Sequence, residues 1–205
     1  MNNKTKTMIL ILVFTLLIGL ASFGYDALSQ RFSHLGNNLE LVQNEKDGTE
    51  AEVGEKKDED KKDEDKEKII APDFTVVDGN DDLVKFSDFL GKPIVLNFWA
   101  SWCPPCRAEM PDINRVYEEL GEDVTFMMVD LVDGQRETQE KGTRYIEEQG
   151  FSFPVYYDTQ QDAAARYGIR SIPTTIFIDR EGNIVAVAQS ALDVDTLKQG
   201  IDLIK

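Results

Sequence analysis

The sequence PIVLNFWA at residues 93–100, followed by SWCPPCRAEMP at residues 101–111, decides the fold. The first stretch is short and almost continuously apolar, which is typical of a strand buried on both faces of a sheet. Prolines 104 and 105 suit the first turn of a helix, because a backbone N–H would have no partner there. The pattern therefore predicts a buried strand, a tight junction and a helix over residues 104–120.

Both cysteines of the chain lie at this junction. Cys103 falls in the N-cap region of the predicted helix, where unpaired N–H groups and the helix dipole stabilise a thiolate, the nucleophile of disulfide exchange. Cys106 follows one turn later, so it can close a disulfide with Cys103 or resolve a mixed disulfide formed there. A C-x-x-C pair at a strand-to-helix junction indicates redox activity. We expect Cys103 to be the exposed, attacking thiol and Cys106 the shielded one.

Shorter apolar runs around this junction extend the pattern of alternating strands and helices, which favours an α/β sheet with helices on both faces. The other predicted strands are residues 74–77, 84–86, 124–132, 174–178 and 184–188. The other predicted helices are residues 137–149, 160–167 and 193–204.

Composition excludes several classes of protein. A formal charge of −16 disfavours nucleic-acid binding, which needs a basic surface. The excess persists in residues 69–205, where 24 Asp and Glu residues stand against 12 Lys and Arg residues. Two cysteines and one histidine, His34, are too few for a structural zinc site, which usually takes four ligands. We therefore expect neither a metal nor another cofactor.

The N-terminal region predicts a membrane anchor. Residues 1–7 are polar and residues 8–25, MILILVFTLLIGLASFGY, are apolar and just long enough to cross a bilayer core. No clean pattern of small residues for cleavage follows, so we favour an uncleaved anchor over a signal peptide. Lys4 and Lys6 precede the apolar run, which predicts a cytoplasmic N-terminus and a single-pass protein whose remainder lies outside the cytoplasm.

A charged spacer is predicted between the anchor and the folded domain. Residues 26–68 include EKDGTEAEVGEKKDEDKKDEDKEK, which has too little apolar surface to form a core. We expect this spacer to be disordered, and we place the folded domain at residues 69–205.

The segment WASWCPPCRAEMP, residues 99–111, resembles the active-site segment of thioredoxin-like proteins, closest to the TlpA/ResA type of anchored thiol–disulfide oxidoreductases. APDF at residues 71–74, LNFW at residues 96–99 and Ile172-Pro173-Thr174 match that family as well, and the resemblance covers about residues 70–205. It implies a thioredoxin-like fold with a central mixed sheet flanked by helices, plus the helix-and-strand insert of this type at residues 137–157.

The resemblance also implies further site residues. Pro173 would be a cis proline facing the cysteines, which leaves the backbone of Ile172 free to pair with an extended substrate. Glu109 shares a helix face with Cys106, so a role in proton handling competes with that of a solvated carboxylate. Asn97 stands where thioredoxins proper keep a buried carboxylate; it is either a hydrogen-bonded core residue or a sign of a different proton path. The predicted substrate-binding set is completed by Trp102, Pro104 and Pro105.

By the same resemblance, the protein would take electrons from a membrane thiol carrier and reduce disulfides of exported proteins, with apocytochrome c as the typical client. Two alternatives stay open. A thiol peroxidase of the peroxiredoxin type shares APDF and FSDFLGKP, residues 86–93, but it needs a hydroxyl residue where this chain has Ala100. A binding or chaperone-like module for exported chains would not need the cysteines at all.

Overall fold

In the computed structural model of the protein, residues 39–41, as backbone, and residues 68–205 are described. The predicted cytoplasmic segment 1–7, the predicted anchor 8–25 and the rest of the spacer lie outside the described residues. No helix within residues 68–205 is long and apolar enough to cross a membrane.

The order of elements follows the predicted alternation of strands and helices. The strands are β1 (Leu39–Leu41), β2 (Ile69–Ile70), β3 (Thr75–Val77), β4 (Leu83–Lys85), β5 (Ile94–Trp99), β6 (Thr125–Asp130), β7 (Val155–Tyr157), β8 (Thr174–Ile178) and β9 (Asn183–Ala188). The helices are α1 (Pro104–Leu120), α2 (Gln139–Gln149), α3 (Asp162–Arg166) and α4 (Val194–Asp202), with a 3₁₀ helix at Phe86–Phe89.

The strands form one mixed sheet, as predicted. Its order is β1-β9-β8-β5-β6-β7-β3-β4, and β2 also pairs with β9. The central pair β5–β6 is parallel, whereas β8 runs antiparallel to both β5 and β9. The end of β5, the end of β6 and the start of β8 therefore meet at one edge of the sheet, where the cysteines follow β5.

The core lies on both faces of this sheet, and every residue of β5 is buried. Alternate side chains of a strand point to opposite faces. Val95 and Trp99 accordingly pack under α1, α2 and α4. Leu96 and Phe98 pack on the other face, with α3 and the 3₁₀ helix. Fully burying one such side chain stabilises a fold by about 1.5–3 kcal/mol, so β5 and α1 form a rigid base for the junction between them.

Element boundaries differ from the prediction by a few residues for identifiable reasons. Helix α2 begins at residue 139 rather than 137, because Thr138 is its N-cap and its side chain accepts a hydrogen bond from the Lys141 N–H at 3.3 Å. The helix ends before Gly150, whose φ of 69° is favourable for glycine. Strand β1 was not predicted: Leu39–Leu41 lies within the proposed spacer and pairs antiparallel with β9.

Candidate active site

Cys103 is the N-cap of α1, as predicted, and it forms a disulfide with Cys106. The two Cα atoms are 5.3 Å apart, and the Cys103 sulfur accepts a hydrogen bond from the Cys106 N–H at 3.3 Å. The Cys106 N–H, in the first turn of α1, therefore points at the sulfur that would carry the thiolate charge. In this disulfide form Cys103 is 2% exposed and Cys106 is fully buried, and Trp102 and Ile172 pack against the core cluster that contains both. The exposure of the Cys103 thiol in the reduced protein stays a prediction.

The loop before β8 faces Cys103. The Ile172–Pro173 peptide bond is cis, as the resemblance implied. The carbonyl oxygen of Ile172 lies 3.7 Å from the Cys103 sulfur, and the Thr174 hydroxyl donates to the carbonyl of Ser171 at 2.8 Å. The structure thus brings Ile172 and Pro173, two residues of the predicted substrate-binding set, beside the sulfur proposed to attack.

Glu109 is buried beneath residues 101–106, the segment that holds both cysteines and is called the cysteine turn below. It is 2% exposed, so the alternative of a solvated carboxylate is wrong. Its Oε1 accepts a hydrogen bond from Asn97 Nδ2 at 2.9 Å, and its Oε2 accepts one from the Leu192 N–H at 2.9 Å. Loss of hydration on burial raises the pKa of Glu109 to about 7, although both hydrogen bonds favour the charged form. A group with that pKa can both take up and release a proton near neutral pH.

Asn97 links this carboxylate to the sheet. Its side chain is fully buried and donates a second hydrogen bond to the Thr175 hydroxyl at 2.9 Å. Thr175 is the neighbour of Asn97 across the β5–β8 pair. The interpretation of Asn97 as a hydrogen-bonded core residue is confirmed, and the structure adds that its partner is Glu109.

Two arginines close to the cysteine turn lie over aromatic rings. The guanidinium carbon of Arg136 is 3.4 Å from the centre of the Trp102 ring, and that of Arg107 is 5.2 Å from the centre of the Tyr145 ring. Trp102 is partly exposed, and the two prolines between the cysteines are exposed. Sequence reasoning missed both arginines, because no local pattern ties a loop residue such as Arg136 to a ring 34 positions earlier.

Sequence reasoning also missed two buried acids beside the cysteine turn. Glu137 is fully buried and accepts hydrogen bonds from the Ser101 N–H at 2.8 Å and from the Ser101 hydroxyl. Asp130, the last residue of β6, is fully buried, and neither carboxylate oxygen has a hydrogen-bond partner among the described residues. Burial, followed by the negative charges of Glu137 and Asp133, raises the pKa of Asp130 to about 9. The signal that could have located Asp130 near the cysteines is its position at the end of β6, the strand that runs parallel to β5.

Metal binding has no support within residues 68–205, where no group of three or more His, Cys, Asp or Glu side chains is arranged to hold an ion. The site itself offers two sulfurs, a helix N-terminus and a carboxyl group with a raised pKa.

Comparison with known proteins agrees with this geometry. The AhpC/TSA family model matches residues 69–187. Thiol-disulfide oxidoreductase ResA of Oceanobacillus iheyensis is 36% identical over 132 residues, which cover 62% of this chain and 67% of that protein. The ResA of Geobacillus thermodenitrificans is 30% identical over 138 residues, which cover 66% of this chain and 76% of that protein.

Solved structures show the same fold. A DsbF homologue from Corynebacterium diphtheriae superposes with a TM-score of 0.61 at 26% identity and covers 80% of this chain and 99% of its own. A thiol:disulfide interchange protein described as DsbE, from Chlorobium tepidum, superposes with a TM-score of 0.58 at 28% identity and covers 65% of this chain and 94% of its own. The fold is thioredoxin-like, and helix α2 with strand β7 occupies the predicted insert. The chain belongs to the AhpC/TSA family and is a thiol–disulfide oxidoreductase of the ResA type.

Proposed function

We propose that this protein is a membrane-anchored reductant that acts outside the cytoplasm on disulfides of exported proteins, with apocytochrome c as the first client to test. The observation that carries the proposal is the position of Cys103. Its sulfur caps α1 and lies 3.7 Å from the Ile172 carbonyl oxygen, so an extended substrate paired with that backbone would present its disulfide to the helix N-terminus.

The exchange transfers two electrons to the substrate. The Cys103 thiolate attacks one substrate sulfur, a mixed disulfide forms, and the other substrate sulfur leaves as a thiolate. Cys106 then loses its proton and attacks Cys103, which releases the second substrate sulfur and leaves the Cys103–Cys106 disulfide. The protein is oxidised by two electrons and the substrate disulfide becomes two thiols. A membrane thiol carrier would return the electrons.

Glu109 is the proposed proton acceptor of the second step. It follows Cys106 by three residues on α1, so both side chains lie on the same helix face. Because its pKa is about 7, it can accept the Cys106 proton and later release it.

The proposed direction of electron flow is supported by the residues that stand between the cysteines. A strong oxidant stabilises its reduced form through a very low thiolate pKa at the first cysteine. Pro104 and Pro105 supply neither charge nor an N–H donor, so the Cys106 N–H and the helix dipole remain. The negative charge of nearby Glu109 would oppose even that stabilisation. Weak stabilisation of the thiolate favours a reductant.

Reduction-potential and turnover measurements test the proposal. Full-length protein in detergent is equilibrated with glutathione buffers, and the thiols are counted after alkylation. If the protein is fully reduced at about −120 mV, where a strong periplasmic oxidant is poised, the reductant assignment fails. In parallel, reduced protein is mixed with an oxidised apocytochrome c peptide. A Cys103→Ser variant should lose all turnover; a chaperone-like module would bind the peptide equally well without that sulfur.

A further inference from the structure

Arg136 provides a positive charge over the side chain of Trp102. Its guanidinium lies 3.4 Å from the centre of the Trp102 ring, and Trp102 directly precedes Cys103. Stacking of this kind uses the faces of the guanidinium and the indole. The N–H donors of the guanidinium lie in its own plane, so they remain available to a ligand.

The loop that carries Arg136 is held by its own hydrogen bonds. The Asp133 carboxylate accepts from the N–H groups of Gln135 and Glu137, at 2.8 and 2.9 Å. The Lys141 ammonium donates to the carbonyl oxygens of Gln135 and Arg136, both at 2.9 Å. These four hydrogen bonds all join residues 133–141, so the loop is held by contacts within itself. The loop therefore fixes the backbone of Arg136, and the stacking on Trp102 orients its side chain. An oriented side chain loses less conformational entropy when it binds a ligand.

A second attachment fixes the loop to the cysteine turn. Glu137 is fully buried and accepts hydrogen bonds from the N–H of Ser101, at 2.8 Å, and from its hydroxyl. Ser101 lies two residues before Cys103. The position of Arg136 is thus tied to that of the attacking sulfur.

Arg136, like Arg107, carries a positive charge near the cysteines of an acidic domain. Residues 69–205 contain twice as many acidic as basic residues. Arg136 is nevertheless exposed and forms no ion pair with any residue of the described chain. An exposed, positioned guanidinium with free in-plane donors matches a carboxylate, which it can bind in a bidentate manner.

We propose that Arg136 is a specificity-determining residue that binds a carboxylate of the client polypeptide close to the client disulfide. The proposal rests on the proposed reductase function and adds the substrate class: disulfides flanked by Asp or Glu. In this proposal Arg136 attracts acidic clients at the site, against the net negative charge of residues 69–205.

Three synthetic peptides test the proposal. Each is closed by a disulfide between two cysteines, and they differ only in two flanking residues, which are Glu, Gln or Lys. Reduced full-length protein in detergent is mixed with each peptide at about 0.15 M salt, where charges more than about 8 Å apart are largely screened. The second-order rate of peptide reduction is measured for the wild type, for Arg136→Gln and for the matched control Arg180→Gln. Arg180 is exposed in the β8–β9 turn, beyond the end of β8 that lies away from Pro173.

We expect the wild type to reduce the Glu peptide about fivefold faster than the Gln peptide, the upper end for an exposed ion pair. This preference should vanish in Arg136→Gln and persist in Arg180→Gln. Equal rates for the Glu and Gln peptides in the wild type, or a preference that survives Arg136→Gln, would overturn the inference. An equal slowing of all three peptides would also overturn it, because it would assign Arg136 to Cys103 reactivity rather than to selection.

A further variant tests whether the chain's own acidic spacer is the occupant. In it, the acidic residues of segment 58–65 are replaced by their amides. If the Glu preference appears only in that variant, the spacer occupies Arg136 and the inference fails. If none of the peptides is reduced, the proposed function itself fails, whereas reduction of the Gln peptide without a Glu preference rejects the specificity alone.

Discussion

Replacing Glu109 by Gln should remove a pH-dependent loss of stability. Burial raises the pKa of this carboxyl from 4.5 to about 7 in the folded protein. At about 1.4 kcal/mol per pH unit, keeping the group charged costs the fold on the order of 3 kcal/mol. The folded pKa lies above the unfolded one, so the folded state favours the protonated carboxyl. The stability that protonated Glu109 contributes is therefore fully present below pH 4.5 and is lost as pH rises through 7. A glutamine side chain does not titrate, so the variant should lack this loss.

The surrounding hydrogen bonds allow Gln to replace Glu without disrupting the site. Glu109 accepts from Asn97 Nδ2 and from the Leu192 N–H. The oxygen of a Gln can keep the bond to Leu192, and its NH₂ group can donate to Asn97 once the Asn97 amide turns over. Thr175, whose hydroxyl now accepts from Asn97, can donate after that turn. The turned Asn97 NH₂ group then takes the place of an oxygen that has no partner among the described residues, which adds a cost that does not vary with pH. The pH-dependent change is the loss of a titrating group.

Two measurements on the same variant test this reasoning. Urea unfolding of wild type and Glu109→Gln is measured at pH 5 and pH 8. The free energy of unfolding of the variant, relative to that of the wild type, should be about 2.5 kcal/mol more favourable at pH 8 than at pH 5. The pH–rate profile of peptide reduction should bend near pH 7 in the wild type, whereas the variant should lose the bend and be slower by about 10²-fold. Glu118→Gln, an exposed change on the same helix, is the control. An identical bend in Glu109→Gln would refute the proton-handling role, and equal pH dependence of stability would refute the raised pKa.

Other changes probe the packing around the site. Asp130→Asn should be more stable than the wild type at pH 8, and the difference should shrink as pH falls towards 4, because the pKa of Asp130 is raised to about 9. Urea unfolding that gives the same stability difference at both pH values would count against this. Gly142→Ala should cost about 1–3 kcal/mol, because its Cβ would overlap the Asp130 carboxylate. Asp130→Ala should relieve that loss in the double variant, and simple additivity would contradict this. Gly200→Ala should lower the melting temperature despite the better helix propensity of Ala, because its Cβ would meet the buried Phe177 ring; an unchanged or higher value would show that the ring can move.

The predictable part of this protein is the part that local patterns control. A continuous apolar run indicated β5, and prolines after Cys103 indicated the start of α1, because both signals act within a few residues. The cysteine pair followed from the same junction. The cis bond before Pro173 was expected only through the resemblance, since sequence alone leaves trans as the usual state.

The unpredicted part consists of charges whose partners are distant in sequence. Asp130 and Glu137 belong to residue types that are usually exposed, so local reasoning treats them as solvated. Their burial depends on β6 ending beside β5 and on the loop before α2 folding onto Ser101. The stacking of Arg136 on Trp102 depends on the same loop. Each of these contacts requires the tertiary structure.

The neutral side chain at position 97 bears on the proton-handling role proposed for Glu109. Asn97 donates to Glu109 and carries no charge, so it partly offsets the desolvation of that carboxylate without repelling it. A carboxylate at the same place would add a second negative charge within hydrogen-bond distance and drive the pKa of Glu109 higher. Asp130 illustrates that outcome, since it has no donor among the described residues and faces the charge of Glu137, and its pKa is about 9. The two acids differ in their donors, and only Glu109 keeps a pKa that suits proton exchange near neutral pH.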